Sequence, residues 1–374
     1  MIIAVNARHL IAGKLEGIGR FANETLKRIT QGHPECRFVF IFDRPYAEEF
    51  IYSRNIIPVV SFPPARHPLL WYAFFEWGIP PVLRKYKPDL FYSPDGWLSL
   101  KTRTKSLPVI HDLNFMHMPE LLPPMVRKYY GYYFPRFVKK ASRIITVSEY
   151  SKNDIVNTFK YDPEFIDVVY NGADESFAPV SLSDQVKIRQ KYTSGCAYFL
   201  FLGLIHPRKN LTNIMYAFNG FRNTHTDRVK LLVAGERKWW TDEMQQAYDR
   251  CNYKEDIVFL GRVNSPSLNE IIGSAAALVY TSFFEGFGLP VLEAMYSNVP
   301  VICSPVTSMP EVGGNAVMYA DPFNPESIKD AMLKIYNDRE FRNKLLKNAI
   351  LQRGKFTWDK TSWLVWNAIE KSLT

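Results

Sequence analysis

Two adjacent cations and two carboxylates are the residues of this sequence best suited to chemistry. Arg208 and Lys209 stand side by side, and Glu285 precedes Glu293 by eight positions. Arginine presents a planar fork of N–H donors and lysine a mobile point charge, so together they suit the oxygens of a diphosphate. Carboxylates beside such an anion site can accept hydrogen bonds from hydroxyl groups, for instance those of a sugar. The pattern therefore favours a ligand that carries both a diphosphate and hydroxyl groups.

A glycine turn precedes a helix in the segment that holds the two carboxylates. Gly286 and Gly288 flank the single residue Phe287, and Pro290 fits the first turn of the following helix, where its missing N–H costs nothing. The unpaired amides of Phe287, Gly288 and Leu289 are predicted to point out of the strand end and to attract a phosphate. The alternative is an ordinary capping turn whose carboxylates are favoured by the helix dipole.

Both segments directly follow apolar runs that are predicted to be strands. Arg208 and Lys209 are expected in a loop, with Asn210 as the N-cap of the next helix. Glu285 is expected on the loop of the glycine turn and Glu293 in the first helical turn, facing the same opening. A solvated basic loop is the alternative interpretation of the Arg-Lys pair.

A short glycine motif occurs near the N-terminus. Gly17, Gly19 and Ala22 match G-x-G-x-x-A, a dinucleotide-binding fingerprint that should follow its strand immediately. About ten residues separate this motif from the strand-like run that ends at Asn6. A dinucleotide site is therefore disfavoured, and the motif predicts a flexible glycine loop that opens a helix and faces the ligand.

A histidine and an aspartate, His111 and Asp112, end another predicted strand. A histidine at this position can contact a ligand hydroxyl, although a purely structural histidine is the commoner case. His111, Asp112 and His117 do not make a convincing metal set. Neither a metal ion nor a cofactor is expected.

Twelve short apolar runs recur along the 374 residues, with amphipathic stretches between them. Their hydrophobicity is continuous rather than alternating, which is typical of parallel strands covered on both faces. They are Ile2–Asn6, Phe38–Phe42, Leu90–Tyr92, Pro108–His111, Arg143–Val147, Asp167–Tyr170, Tyr198–Leu202, Lys230–Ala234, Ile257–Leu260, Ala277–Thr281, Val299–Cys303 and Ala316–Tyr319. Two such sets predict an α/β protein with two doubly wound, Rossmann-like domains facing a deep cleft, with the boundary near Pro179.

The overall composition excludes several classes of protein. The chain has 46 Lys and Arg against 37 Asp and Glu, a net charge of +9, which suits an anionic partner. A hydrophobic content of 47% excludes wholesale disorder, and the four scattered cysteines argue against a disulfide framework or a structural zinc site. Because neither a signal peptide nor an apolar run of about 18 residues is found, we expect a cytoplasmic protein.

Two segments, 69–87 and 125–140, combine many aromatic residues with cations. This composition suits a helix face that touches anionic lipid at the inner face of the cell membrane. The alternative is an ordinary helix pair whose aromatic residues belong to the core. Nucleic acid is not expected as a partner, because no recognised nucleic-acid-binding module accompanies the charge.

Taken in order, these segments resemble the retaining glycosyltransferases of family 4, a sucrose-synthase-like and mannosyltransferase-like group with the GT-B fold. The likeness extends over nearly the whole chain, and its specific parts are the Arg-Lys-Asn-Leu segment and the E-x7-E element. It is carried by Gly17-Ile-Gly19, His111-Asp112, Ile145-Thr-Val-Ser148, Asn171-Gly-Ala-Asp174, Pro207-Arg-Lys-Asn-Leu211, Gly261-Arg-Val263 and the segment from Glu285 to Glu293.

The resemblance implies roles for the residues of the C-terminal half. Arg208 and Lys209 would bind the diphosphate of a nucleotide-sugar donor, and Glu293 would hold the ribose of its nucleotide. Glu285, with the amides of residues 287–289, would contact the donor sugar. The base of the nucleotide would lie near Arg262 and Val263, so the donor-binding residues would include these two as well as Phe287, Gly288 and Leu289.

The resemblance also implies roles for the N-terminal half and the tail. His111 would reach the donor sugar from the other domain, and the Gly17 loop would close over phosphate or acceptor. Residues 1–178 would form an acceptor-side domain, completed by 358–374 as a C-terminal crossover helix, and residues 179–357 the donor-binding domain.

The residues and the resemblance together predict a metal-independent, retaining transfer of a hexose from a nucleoside-diphosphate sugar. The acceptor would be a glycan or a lipid-linked glycan in cell-surface polysaccharide synthesis, and likeness around residues 109–114 favours GDP-mannose as the donor. The alternative is a catalytically inactive nucleotide- or glycan-binding protein with the same fold.

Overall fold

Thirteen strands in the described part of the chain form two separate parallel sheets. A computed structural model describes residues 1–15, 17–174, 176–263 and 267–374. They divide into unit 1, Met1–Gly172 with Thr357–Thr374, and unit 2, Ala173–Phe356. The chain passes from unit 1 to unit 2 after Gly172, six residues before the boundary predicted after residue 178 (178 − 172). It returns to unit 1 after Phe356, one residue before the boundary predicted after residue 357 (357 − 356).

Unit 1 is built on a seven-stranded sheet in the order β3-β2-β1-β4-β5-β6-β7. The order reverses between β1 and β4, so the loops after these two strands diverge at a topological switch point, where open parallel sheets bind ligands. The strands are β1 Ile2–Asn6, β2 Arg37–Phe42, β3 Ile56–Val60, β4 Leu90–Ser93, β5 Lys105–Ile110, β6 Ile144–Thr146 and β7 Ile166–Val168.

Strand β3 is the one described strand that the apolar runs did not predict. It contains Pro58, which pairs in register with Phe40 of β2. Proline cannot donate a ladder hydrogen bond and is tolerated mainly on edge strands. β3 is an edge strand of its sheet, so the missing N–H leaves no strand partner unsatisfied.

The helices of unit 1 connect these parallel strands. They are α1 Gly17–Gly32, α2 Pro68–Ala73, α3 Ile79–Tyr86, α4 Asn114–His117, α5 Pro124–Lys140 and α6 Glu149–Phe159. A π-helical turn, Phe74–Gly78, joins α2 to α3, and its buried Glu76 accepts hydrogen bonds from the amides of Leu100 (2.7 Å) and Lys101 (3.1 Å). Across the described residues, no helix is both long enough and apolar enough to span a bilayer.

Unit 2 contains a six-stranded sheet in the order β10-β9-β8-β11-β12-β13, which reverses between β8 and β11. Its strands are β8 Tyr198–Leu202, β9 Lys230–Ala234, β10 Ile257–Gly261, β11 Ala277–Tyr280, β12 Val301–Cys303 and β13 Met318–Tyr319. Its helices are α7 Leu182–Thr193, α8 Leu211–Thr224, α9 Asp242–Asp249, α10 Ser267–Gly273, α11 Leu289–Tyr296, α12 Met309–Gly313, α13 Pro325–Asn337 and α14 Arg339–Arg353. The prediction of two doubly wound parallel sheets is confirmed.

The last helix, α15 (Trp358–Leu373), returns to unit 1 and packs on α1. Trp366 of α15 is buried and stacks on His33, with ring centroids 3.4 Å apart. The start of α15 passes so close to Gly172 that a Cβ atom there would lie 2.3 Å from the Trp358 amide nitrogen. Unit 1 is therefore assembled from the two ends of the chain.

Candidate active site

The predicted cations and the first carboxylate meet at the switch point of the unit 2 sheet. Arg208 and Lys209 lie in a short turn after β8, and Glu285 lies in the loop after β11. Since β8 and β11 are neighbours at the reversal of strand order, their carboxyl-end loops approach each other there. The Phe283 amide donates to the Arg208 carbonyl at 2.9 Å, which joins the two loops through their backbones.

A buried carboxylate is shared between the two cations. Arg208 Nη1 lies 3.0 Å from Glu285 Oε2, and Lys209 Nζ lies 2.6 Å from Glu285 Oε1. Lys209 Nζ also donates to the Tyr280 hydroxyl at 2.6 Å, and Arg208 donates to the Phe284 carbonyl. The cluster of two cations and one carboxylate keeps a net positive charge, which suits an anionic ligand.

Electrostatics keep Glu285 ionised in this cluster. Burial alone would raise the pKa of Glu285, but the charges of Arg208 and Lys209 outweigh it and hold the pKa at about 2. Burial and the same two cations lower the pKa of the neighbouring His206 to about 4. At neutral pH the site therefore contains a carboxylate and a neutral imidazole beside two fixed cations.

Gly288 and Pro290 of the glycine turn lie where they were predicted. Gly288 occupies the N-cap position of α11 with φ of +102°, a conformation that residues with a Cβ rarely adopt, and Pro290 follows in the first turn. The Ser308 hydroxyl donates to the carbonyls of Glu285 (2.9 Å) and Phe287 (3.2 Å). Because Ser308 belongs to a different loop and holds both carbonyls, the orientation of the backbone at residues 287–289 is fixed.

Two details of the prediction differ from the structure. Glu293 is buried in the second turn of α11 rather than in the first, because the helix begins only at Leu289. Asn210 precedes α8, but its side chain does not cap the helix. With Asn210 in the left-handed region (φ of 62°), its amide instead donates to the carbonyls of Thr281 (2.9 Å) and Pro322 (2.7 Å).

Arg262 and Val263 lie apart from this cluster. They follow β10, the edge strand separated from β8 by β9. Arg262 lies 3.9 Å from the carboxylate of Glu236, in the loop after β9. Their predicted place beside the nucleotide base remains a prediction.

The two predicted site residues of unit 1, Gly17 and His111, lie on different elements, at the start of α1 and directly after β5. Gly17 is the first residue of α1, so this glycine begins a helix instead of forming a loop before it. Gly19 lies two residues further along, still in the first turn, where a Cβ atom would be 2.7 Å from the His9 carbonyl oxygen. The close approach of α1 to the backbone at His9 therefore explains the glycine at position 19.

His111 directly follows β5 and is held in one tautomer. Its Nε2 lies 2.8 Å from the Pro94 carbonyl oxygen and must carry the proton, since a carbonyl can only accept. Burial lowers the pKa of His111, so the ring is neutral at neutral pH. Nδ1 is therefore an acceptor, as the predicted contact with a ligand hydroxyl requires.

Comparisons with known proteins cover both units. A model described as Glycosyltransferase Family 4 matches residues 16–177, and one described as Glycosyl transferases group 1 matches residues 184–352. O-antigen chain mannosyltransferase B of Escherichia coli is 30% identical over 370 residues, which is 95% of this chain and 96% of that protein. The chain belongs to the family 4 glycosyltransferases.

One further relative is similar to this glycosyltransferase in sequence, and two solved structures are similar to it in fold. O-antigen chain mannosyltransferase RfbU of Salmonella typhimurium is 29% identical over 281 residues, covering 75% of this chain and 74% of that protein. Sucrose-phosphate synthase of Thermosynechococcus elongatus superposes with a TM-score of 0.79 at 15% identity, over 99% and 98% of the two chains. Alr3699/HepE of Anabaena, solved with UDP-glucose, superposes with a TM-score of 0.74 at 17% identity, over 99% of each chain. The glycosyltransferase therefore has the GT-B fold.

Three supporting residues of the glycosyltransferase site were not predicted. Tyr280 contacts Lys209, Ser308 holds the glycine turn, and Thr307 accepts a hydrogen bond from the Glu285 amide at 3.2 Å. Tyr280 had the appearance of an ordinary strand residue, and the other two belong to a loop distant in sequence. Within residues 1–15, 17–174, 176–263 and 267–374, no group of three or more His, Cys, Asp or Glu side chains is placed to hold a metal ion.

Proposed function

We propose that this glycosyltransferase is a retaining mannosyltransferase that acts in cell-surface polysaccharide synthesis. It moves mannose from GDP-mannose to a glycan or a lipid-linked glycan. The names of the relatives in Escherichia coli and Salmonella typhimurium support mannose and an O-antigen type of acceptor. The observation that carries the proposal is the cluster of Arg208, Lys209 and Glu285 at the mouth of the glycine turn.

The cluster suits a diphosphate leaving group. As the bond between C1 of the sugar and the phosphate oxygen breaks, negative charge grows on the diphosphate. Arg208, Lys209 and the amides at the start of α11 are fixed before the reaction, so they stabilise the transition state more than the ground state. These groups can balance the leaving charge without a metal ion, and we propose that the transfer is metal-independent.

The electrostatic state of Glu285 bears on how a retaining transfer would proceed. A carboxylate with a pKa of about 2 and a cation at each oxygen is a weak nucleophile, which disfavours a covalent sugar–Glu285 intermediate. We propose that the acceptor hydroxyl attacks from the face that the diphosphate leaves, through an oxocarbenium-like state. The new C1–O bond forms as the old one breaks, and the acceptor proton passes to the departing phosphate oxygen. Glu285 meanwhile accepts hydrogen bonds from the donor sugar.

The alternative function is a catalytically inactive protein that binds nucleotides or glycans. A degenerate site has no need of two cations, a shared carboxylate and a braced turn together, and all of these are present. Hydrolysis or transfer of donor sugar in a mixed-acceptor assay separates the two functions, because an inactive binder would release no nucleoside diphosphate.

The choice of donor is tested by thermal unfolding with a panel of nucleotide sugars. We expect GDP-mannose to raise Tm more than UDP-glucose or ADP-glucose, because a ligand at about 100 times its Kd adds about 2.7 kcal/mol of stability. Turnover of GDP-mannose should persist in excess EDTA. A larger shift with another sugar nucleotide would reject GDP-mannose, and loss of turnover in EDTA would reject metal independence.

A second part of the proposal is contact of unit 1 with anionic lipid. Tyr129, Phe134 and Phe137 belong to the buried core cluster and Trp71 packs against it, so the alternative interpretation holds for them. Trp77 and Tyr132 are exposed (59% and 53%).

A continuous row of rings joins these two exposed residues. Trp77 contacts Tyr72 (centroids 5.6 Å apart), Tyr72 contacts Tyr133 (5.9 Å), and Tyr133 contacts Tyr132 (4.9 Å). Cations accompany the row. Lys101 lies over the Trp77 ring at 5.7 Å, and Arg136 over the Tyr132 ring at 3.6 Å. Exposed aromatic rings beside cations favour an anionic bilayer surface.

Sedimentation with vesicles tests this contact. The protein should bind phosphatidylcholine vesicles that contain phosphatidylserine at low salt, and both higher salt and Trp77→Ser should lower the bound fraction severalfold. Trp363→Ser is the matched control, because Trp363 is equally exposed but lies on α15. Absence of binding to the anionic vesicles, or equal losses in both variants, would contradict the contact.

A further inference from the structure

Tyr280 is the last residue of β11, the strand that lies between β8 and β12 at the switch point of unit 2. Its backbone is held by the neighbouring strand, because Tyr280 pairs in register with Cys303 of β12. Its side chain is buried, with 3% of its surface exposed. A side chain on a paired strand keeps its position better than one on a loop, so Tyr280 is suited to hold a more mobile neighbour in place.

The side chain of Tyr280 contacts both the cationic turn and the glycine turn. Lys209 Nζ donates to the hydroxyl at 2.6 Å and lies 4.7 Å from the centre of the ring. A Cβ atom at Gly288 would lie 3.8 Å from Tyr280 Cε1, so the edge of the ring lies close to the glycine turn. One rigid ring therefore sets the distance between the lysine ammonium group and the start of α11.

The Tyr280 hydroxyl stays neutral in this environment. Burial, followed by the charge of Glu285, raises the pKa of Tyr280 well above its usual value. An ammonium group can only donate, so the phenolic oxygen supplies a lone pair to Lys209. A neutral acceptor fixes the position of the ammonium group without cancelling its charge, which a second carboxylate at this place would do.

Lys209 depends on such an acceptor more than Arg208 does. The arginine fork is planar and pre-organised, and it already donates to the Phe284 carbonyl and lies 3.0 Å from Glu285 Oε2. The lysine ammonium group lies on a flexible four-carbon stem, with Glu285 Oε1 as its ion-pair partner at 2.6 Å. Without the Tyr280 hydroxyl, the carboxylate alone would attract the ammonium group and draw its charge out of the position between the two oxygens.

Packing does not explain why residue 280 carries a hydroxyl. The other residues of β11, Ala277, Leu278 and Val279, are apolar and fully buried. A phenylalanine at position 280 would fill the same space as the tyrosine ring. Since a buried hydroxyl costs free energy unless it is hydrogen-bonded, its bond with Lys209 is the feature that distinguishes tyrosine from phenylalanine here.

We propose that Tyr280 is a positioning residue for sugar transfer, which acts through Lys209 by holding its ammonium group where the diphosphate of the donor leaves. The inference rests on the proposed function, because it takes Lys209 as a cation that stabilises the leaving diphosphate. In this role Tyr280 acts without contacting the donor. A displaced cation stabilises the transition state less than a fixed one, so the loss of the hydroxyl should affect kcat more than KM for the donor.

Steady-state kinetics of Tyr280→Phe test the inference, measured as release of GDP from GDP-mannose in the mixed-acceptor assay. Removal of one hydrogen bond to a charged group should lower kcat about tenfold, while KM for GDP-mannose should change by less than about twofold. Tyr198→Phe is the matched control. Tyr198 is a fully buried residue at the other end of β8 from the cationic turn, and its hydroxyl donates to the Ile271 carbonyl at 2.5 Å. This variant should keep wild-type kcat, and both should keep the wild-type circular dichroism spectrum.

A double-mutant cycle separates positioning from a merely structural role. In the Lys209→Ala background the hydroxyl has no ammonium group to hold, so adding Tyr280→Phe should change kcat by less than about twofold. A structural role would lower kcat by the same factor in both backgrounds.

Four results would overturn the inference. They are an equal fall of kcat in both backgrounds, undiminished kcat in Tyr280→Phe, an equal fall in Tyr198→Phe, and loss of the wild-type circular dichroism spectrum in Tyr280→Phe, which would assign the hydroxyl to folding. Absence of GDP release by the wild-type protein would instead reject the proposed function.

Discussion

Replacing Lys209 with alanine is expected to lower kcat for sugar transfer by about 10²-fold to 10³-fold, which corresponds to about 3–4 kcal/mol of transition-state stabilisation. Lys209 Nζ is fixed 2.6 Å from both Glu285 and the Tyr280 hydroxyl before any substrate binds. A fixed cation of this kind stabilises the leaving diphosphate without reorganisation during the reaction. The measurement is steady-state release of nucleoside diphosphate at saturating donor and acceptor.

The fold should survive this substitution. Arg208 remains 3.0 Å from Glu285 in the variant, so the buried carboxylate keeps a cation. Circular dichroism should therefore match that of the wild-type protein, and Lys238→Ala, which removes an exposed lysine from the loop after β9, should keep full kcat. Undiminished turnover in Lys209→Ala would defeat the proposed role of the cluster.

The second large effect is expected from Gly172→Ala, which should lower the free energy of unfolding of unit 1 by about 3 kcal/mol. A Cβ atom at this buried glycine would lie 2.3 Å from the Trp358 nitrogen and 2.7 Å from the Thr357 carbonyl carbon. Both are backbone atoms, so no side-chain rotation relieves the clash and the start of α15 must move. Urea unfolding followed by circular dichroism measures the loss.

Gly131→Ala is a matched control for this substitution. Gly131 is an exposed residue in the interior of α5, and a Cβ atom there would meet nothing within 4 Å. Since alanine favours a helix over glycine by about 1 kcal/mol, the control should gain stability. Equal stability of Gly172→Ala and the wild-type protein would show that α15 docks less rigidly on unit 1 than the structure indicates.

Most strands could be predicted because a strand buried on both faces appears in the sequence as a continuous apolar run. A strand covered by helices on each side must be apolar throughout, and twelve such runs became strands. Pro58 interrupts this apolar signal in β3. The segment still forms a strand because it lies at the edge of the sheet, where a proline is tolerated. Gly17 begins α1, and two residues further on the missing Cβ atom of Gly19 lets this helix lie close to the backbone at His9, a contact that the sequence pattern does not contain.

Arg208, Lys209 and Glu285 of the unit 2 site were predictable because each lies in a loop that follows a strand. Arg208 and Glu285 needed only the rule that ligands bind at the carboxyl ends of parallel strands. Tyr280 and Ser308 could not be found in this way, since their roles depend on contacts between loops distant in sequence.

Unit 1 is assembled from two segments that unit 2 separates in sequence, and this affects the order in which the protein can fold on the ribosome. The seven-stranded sheet is synthesised before unit 2 and α15 after it, and the buried Val365, Trp366 and Ile369 of α15 belong to unit 1. Unit 2 is a single continuous segment and can fold while translation continues. The apolar surface of unit 1 that α15 covers must therefore stay exposed until both unit 2 and α15 have been synthesised.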